Sequence, residues 1–197
     1  QQIFNMKTKA TLSKGFTLIE TLVALLIFLF AITGILVLTG QGVLSTNYAK
    51  NRLTAGFLAQ EGIELIRFVR DSAMIGAPST GWNDFISTVG SLPCGEATNG
   101  CTIDSSVLSA PDVASRYTYL VPCTTTGGCP LYYTDTTGYN TTGVGSPSLY
   151  KRTITLEVVS LPSSNFLRIT STVTWTQGQT EKIVSATENL FDWVVIP

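Results

Sequence analysis

From Thr21 to Ala49 the chain carries no Asp, Glu, Lys or Arg. Within that stretch Thr21–Leu44, 24 residues, is predominantly apolar. A buried core helix is seldom that long. As a helix it spans about 36 Å, enough to cross a hydrocarbon layer of about 30 Å. The segment therefore predicts a transmembrane helix over about 21–44. It also accounts for the low charge content, 13% of the chain where about 25% is usual. Lys7, Lys9 and Lys14 precede the run and no acid does before Glu20. The positive-inside rule keeps that end cytoplasmic and exports everything after Leu44.

Beyond the membrane the helix is expected to continue to about Ser72. Leu53, Phe57, Leu58, Leu65, Phe68 and Val69 recur at helical spacing, which predicts one apolar stripe. Gly76, Pro78 and Gly81 then stop it. A helix of about 57 residues is roughly 85 Å long. The exported domain can cover its outer half; the inner half needs lipid or other copies of the chain. Gly34, Gly40 and Gly42 fall where the helix leaves the membrane. They suit close packing of small residues or a segment able to unwind, since each costs up to about 1 kcal/mol of helix propensity.

The remainder, 73–197, reads as an exported β-rich head. Arg152–Val159 alternates through Ile154, Leu156 and Val158, and Phe166–Trp175 through Leu167, Ile169, Val173 and Trp175. "TQGQT" supplies a turn and "EKIVSATENL" a return strand, giving an antiparallel meander with one apolar face to cover. The outer half of the helix is the expected cover, so the fold class is α+β. The stretch from Ser79 to Pro147 is expected to be loop-rich, with short strands at Tyr117–Val121 and Leu131–Tyr133.

Two residues remain to be explained. Glu20 places a carboxylate at the edge of hydrocarbon, where it costs about 2.5–3.5 kcal/mol in the interior. A position at the interface, by a helix N-terminus that favours negative charge, explains its tolerance but not Gly15 ahead of Phe16.

The stretch "KGFTLIETLVALLIF", Lys14 to Phe28, resembles the N-terminal signature of type IV pilins and pseudopilins. The likeness runs closely to about Phe30. It implies a leader, 1–15, cut by a prepilin peptidase between Gly15 and Phe16, with Phe16 then N-methylated. Met6 is a plausible start, with Gln1–Asn5 upstream. Counted from Phe16, Glu20 is the fifth residue of the mature chain, where the family carries a glutamate. Cleavage creates a charged amine on Phe16, and the resemblance implies that Glu20 of one subunit lies near Phe16 of its neighbour. Neither charge is stable alone in an apolar core; paired, they fix axial register. The implied partners are other pilin or pseudopilin subunits, the prepilin peptidase, an inner-membrane assembly platform and membrane lipid. The implied location is the inner membrane as precursor, then a surface pilus or periplasmic pseudopilus. "FLAQEGIELIRFVRD", "GWNDF" and "ITSTVTWTQG" look like the body of pilin-like proteins. Many major pilins carry a proline at the place of Val37, so a minor pilin or pseudopilin is the closer fit. The alternative is a single-pass membrane protein with an exported binding or enzymatic domain that never polymerises. An ordinary secretory signal, cut after its apolar run, fits less well because the run is too long and leads into the amphipathic stripe.

All four cysteines, Cys94, Cys101, Cys123 and Cys129, lie in the exported part, as an oxidising compartment permits. Their spacings are not those of zinc knuckles and the chain has no histidine, so disulfides are expected rather than a metal. Three connectivities are possible. The two local pairs are preferred because each encloses a glycine-containing turn.

No histidine also removes the commonest general base, and no catalytic, cofactor or metal residue is expected. Asp135 alone is far short of a calcium ligand set. "GVGSPS" lacks the second flanking glycine of a nucleophile elbow. Net charge is −1, and −4 without the leader, so no nucleic-acid partner is evident. Within "CTTTGGCPLYYTDTTGYNTTGVGSPS", Asn140-Thr141-Thr142 fits a glycosylation acceptor. Tyr132, Tyr133 and Tyr139 offer a surface for a partner or substrate, set against a plain solvated loop.

Overall fold

The computed structural model describes residues 15–95, 99–124, 127–162 and 164–193. The leader expectations, with Met6, Lys7, Lys9 and Lys14, lie outside the described residues. The chain divides into two compact units, Gln1–Asn47 and Tyr48–Pro197. Helix α1 is assigned to Leu18–Gly76. In the first unit its apolar side chains are all exposed, and the helix is unbroken at Gly34, Gly40 and Gly42.

The second unit packs the outer half of α1 on a seven-stranded antiparallel sheet. The strands are β1 (Cys101–Thr102), β2 (Val121–Pro122), β3 (Cys129–Thr134), β4 (Gly138–Asn140), β5 (Ser146–Ser160), β6 (Asn165–Gln177) and β7 (Thr180–Leu190). The meander is β5–β6–β7. β5 pairs with β6 from Tyr150↔Trp175 to Ser160↔Asn165. β6 turns into β7 between Gln177 and Thr180, a two-residue hairpin that opens on Gly178 at φ +64°. A positive φ there gives the turn a twist that matches the strands. The other edge of β5 carries β3 and β1, which in turn carry β4 and β2.

Ile154 and Leu156 of β5 and Leu167 and Ile169 of β6 face Ile63, Ile66 and Val69 of α1 in the larger core. Leu131, Tyr150, Val173 and Trp175 pack with Ala55, Leu58 and Ala59 in a second cluster. The buried face of α1 thus differs from the expected stripe. Leu53 and Phe57 are each 62% exposed, and Phe68 is half-buried beneath the Arg116 guanidinium. Ala55, Ala59 and Gly62 take the inner positions instead. The reason is distance. A Cβ on Gly62 would lie 2.8 Å from the Ser171 Oγ and 3.1 Å from a methyl of Ile154, so at this point the helix sits too close to the sheet for a side chain.

The helix ends at Gly76, the first of the expected stop residues. Two further expectations are corrected. The region after Ser79 is not all loop: helix α2 (Gly81–Ser91) buries Trp82, Phe85 and Val89. It begins against the end of α1, where a side chain at Gly81 would collide with the Ala73 carbonyl. Tyr117–Val121 is a 3-10 turn, Tyr117–Tyr119, leading into the two-residue β2. It follows the short helix α3 (Val113–Arg116), which Asp112 and Ser115 close with a capping box. Leu131–Tyr133 lies within β3, as expected.

The sheet face against α1 also holds a charge. Arg152 of β5 is 1% exposed. Its guanidinium donates to the Leu58 carbonyl at 3.1 Å and the Glu61 carboxylate at 2.9 Å, both on α1, and to the Ile103 carbonyl. One side chain therefore ties helix, sheet and the segment after β1.

Candidate processing and assembly site

Gly15, Phe16 and Thr17 precede the first helical residue, Leu18. Nothing approaches Gly15 within 4 Å of where a Cβ would stand, and Phe16 is 79% exposed. The Gly15–Phe16 peptide bond therefore lies in open, non-helical chain, the form in which a protease can accept it. The helix start has a local cause. The Glu20 backbone N–H donates to the Thr17 hydroxyl at 3.3 Å and to its carbonyl at 3.1 Å, which makes Thr17 an N-cap with an acid three residues on. "TLIE" fits that pattern in sequence, although the apolar run beyond it draws attention first.

Glu20 lies in the first turn of α1 and its side chain is exposed. Among the described residues no cationic side chain pairs with it. Downstream, the threonine hydroxyls of the inner half of the helix are satisfied within it. The hydroxyls of Thr21, Thr33, Thr39 and Thr46 donate to carbonyls three or four residues earlier, so they enter hydrocarbon without an open hydrogen-bonding group. α1 is the helix, among the described residues, that is long and apolar enough to cross a membrane. Among the described residues, Glu20 has no counterion in this segment.

A family model described as the prokaryotic N-terminal methylation motif matches residues 11–36. The chain carries the N-terminal signature of type IV pilins and pseudopilins. The match spans Gly15, Phe16 and Glu20 and supports a type IV pilin-like precursor. The motif implies processing by prepilin peptidase and assembly with other pilins. No curated protein and no solved structure matches the chain.

In the head of this pilin-like chain, disulfides join Cys94 to Cys101 and Cys123 to Cys129. The glycosylation reading of Asn140 meets a structural obstacle. Asn140 is 8% exposed; its amide donates to the Tyr132 and Val144 carbonyls, and its oxygen accepts from the Thr142 hydroxyl at 2.9 Å. It locks the turn after β4, and a glycan on that nitrogen would break the lock. Tyr133 and Tyr139 pack edge to face at the β3–β4 hairpin, with Tyr133 exposed and Tyr132 and Tyr139 half-buried.

Asp104 is a residue that the sequence did not single out. Its carboxylate accepts from Ser106 and from the backbone and hydroxyl of Thr141, both near 3 Å. It thereby caps the 3-10 turn Ser105–Ser109 and ties it to the turn after β4. Burial pushes its pKa up, but the bonds from Ser106 and Thr141 outweigh burial and hold the carboxyl below its usual range. A depressed folded pKa gives stability that is present above the ordinary carboxylate value, about pH 4, and lost as pH falls through the folded value. The Tm difference between wild type and Asp104→Asn is therefore expected to be full at pH 7 and to shrink below about pH 4. A difference that stays constant to pH 2 would contradict this role.

Proposed function

We propose that this chain is a structural subunit, a minor pilin or pseudopilin, of a type IV pilus-like or type II secretion-like fibre. Residues 1–15 are the leader. The chain enters the inner membrane as a precursor with its head exported, is cut between Gly15 and Phe16, and is methylated on Phe16. It acts by assembly, not catalysis. The observation that carries the reading is Glu20, without a cationic partner among the described residues, at the head of an exposed apolar helix, four residues after Phe16. Cleavage supplies the missing charge as the Phe16 amine of a neighbouring subunit.

One observation favours the non-polymerising anchor instead. The helix dipole gives the Glu20 carboxylate, in the first turn of α1, a local role that needs no neighbour. The two readings part on Glu20→Ala. Fibre assembly predicts a variant that is cut normally but is depleted by at least about tenfold from sheared fibres, the equivalent of roughly 1.4 kcal/mol of lost subunit docking. Processed Glu20→Ala chains appearing in fibres at wild-type levels would leave only the local role.

A further inference from the structure

Among the described residues, the ion pairs of the second unit are made by Arg67, Arg70, Arg152 and Arg168. Lys50, Arg52 and Lys182 make none there, and they fall together. Lys50 and Arg52 are exposed on α1 just past Tyr48. Lys182 of β7 stands over the Tyr48 ring, its Nζ 5.9 Å from the centroid. Trp175, the β6 partner of Lys182, packs on the same ring at 6.3 Å. The acids nearest in sequence are spent or turned away. α1 carries none between Glu20 and Glu61, and Glu61 is bound to Arg152. Glu181, next to Lys182, projects from the opposite face of β7.

The chain fixes what this corner meets. Tyr48 follows Leu44, the end of the expected span, by four residues. That is about 6 Å of helix, and no more than about 14 Å of chain at full extension. The headgroup layer on each side of the hydrocarbon is about 5–8 Å deep. Tyr48 and the groups that touch it are therefore held at the headgroups, whatever the tilt of the head. A tyrosine suits that depth, with an apolar ring and a polar tip. Lys50 and Arg52 stand about 9 and 12 Å along the helix from Leu44, and their long stems let the charges reach back. Both weaken the orientation signal that Lys7, Lys9 and Lys14 set from the other side, so insertion does not account for them.

We propose that Lys50, Arg52 and Lys182, grouped around Tyr48, bind anionic phospholipid headgroups in the leaflet on the head's side of the membrane. Phosphodiester oxygens supply the negative charge that the protein does not, and the ammonium and guanidinium groups donate to them. Each cation held near an anionic surface adds to the attraction. The inference rests on the membrane-spanning reading of α1, not on whether the chain polymerises.

The test places the full chain in phosphatidylcholine vesicles with a trace of spin-labelled phosphatidylcholine or phosphatidylglycerol. Electron spin resonance then separates lipid immobilised at the protein from bulk lipid. The wild type is expected to prefer the phosphatidylglycerol label at low salt. Lys50→Gln, Arg52→Gln and Lys182→Gln together should cut that preference by at least about twofold. The leader lysines are common to both chains and cancel in the comparison. Lys151→Gln, at an exposed position on the other face of β5 from buried Tyr150, should leave the preference unchanged. If Lys182→Gln lowers the Tm of the head, the exposed pair Lys50→Gln and Arg52→Gln carries the same expectation. No preference for the phosphatidylglycerol label, or the same preference in wild type and variant, would overturn the proposal. So would an equal drop from Lys151→Gln, which would reduce the effect to net charge. Immobilised phosphatidylcholine label reports that the helix is in the bilayer; its absence would overturn the spanning reading itself, and this inference with it.

Discussion

Arg152→Ala is expected to destabilise the head by about 3–5 kcal/mol, a large share of the roughly 5–15 kcal/mol that holds a domain folded. The guanidinium is 1% exposed. Removing it leaves the Ile103 carbonyl and the Glu61 carboxylate without their donor and opens a cavity beneath Gly62 and Ser171. Most of the loss comes from the stranded partners, not from the worth of the ion pair itself. A second variant separates these terms. Arg152→Met combined with Glu61→Gln fills the space and removes the orphaned charge, so it should recover a substantial part of the loss. Urea unfolding of the two variants checks both statements. Equal destabilisation by Arg152→Ala and the double variant would mean that the bond to Glu61 contributes little.

Loss of the two disulfides is the other large effect. Each closes a loop of seven or eight residues, with sequence separations of 7 and 6. The chain-entropy model gives about 2.5 kcal/mol for a loop of that size, so removing both costs about 5 kcal/mol. The Cys94–Cys101 bridge should cost more. Both of its sulfurs lie in the larger core, and the Cys94 carbonyl accepts the Leu156 N–H at 2.9 Å, which docks this loop on the sheet. Cys→Ser pairs, unfolded in urea alongside the wild type, give the two values separately. A pair of serines at 94 and 101 that leaves the unfolding midpoint unchanged would contradict this account.

What the sequence revealed, and what it hid, follows from how each feature is built. The long apolar run and the β5–β6–β7 meander were legible because period and length are local properties. Leu167, Ile169, Val173 and Trp175 alternate in sequence and are all buried in the structure. The buried face of α1 was misread because large side chains were taken to mark it. Close approach to the sheet selects glycine at position 62, whereas Leu53 and Phe57 face outward. α2 was missed although Trp82, Phe85 and Val89 fall at helical spacing, since Gly and Ser around them read as loop. Gly15, Phe16 and Glu20 could be proposed from sequence because a cleavage signal must be readable in a linear chain. Arg152 and Asp104 could not, because their roles arise only when segments 91 and 37 residues apart meet.

The most direct test of the account is the intact mass and N-terminal peptide map of the protein taken from its native membrane without reducing agent. The account predicts a chain that begins at N-methylated Phe16 and is lighter by two hydrogens for each of the two disulfides. A chain that still carries Lys14 and Gly15 ahead of Phe16 would contradict it.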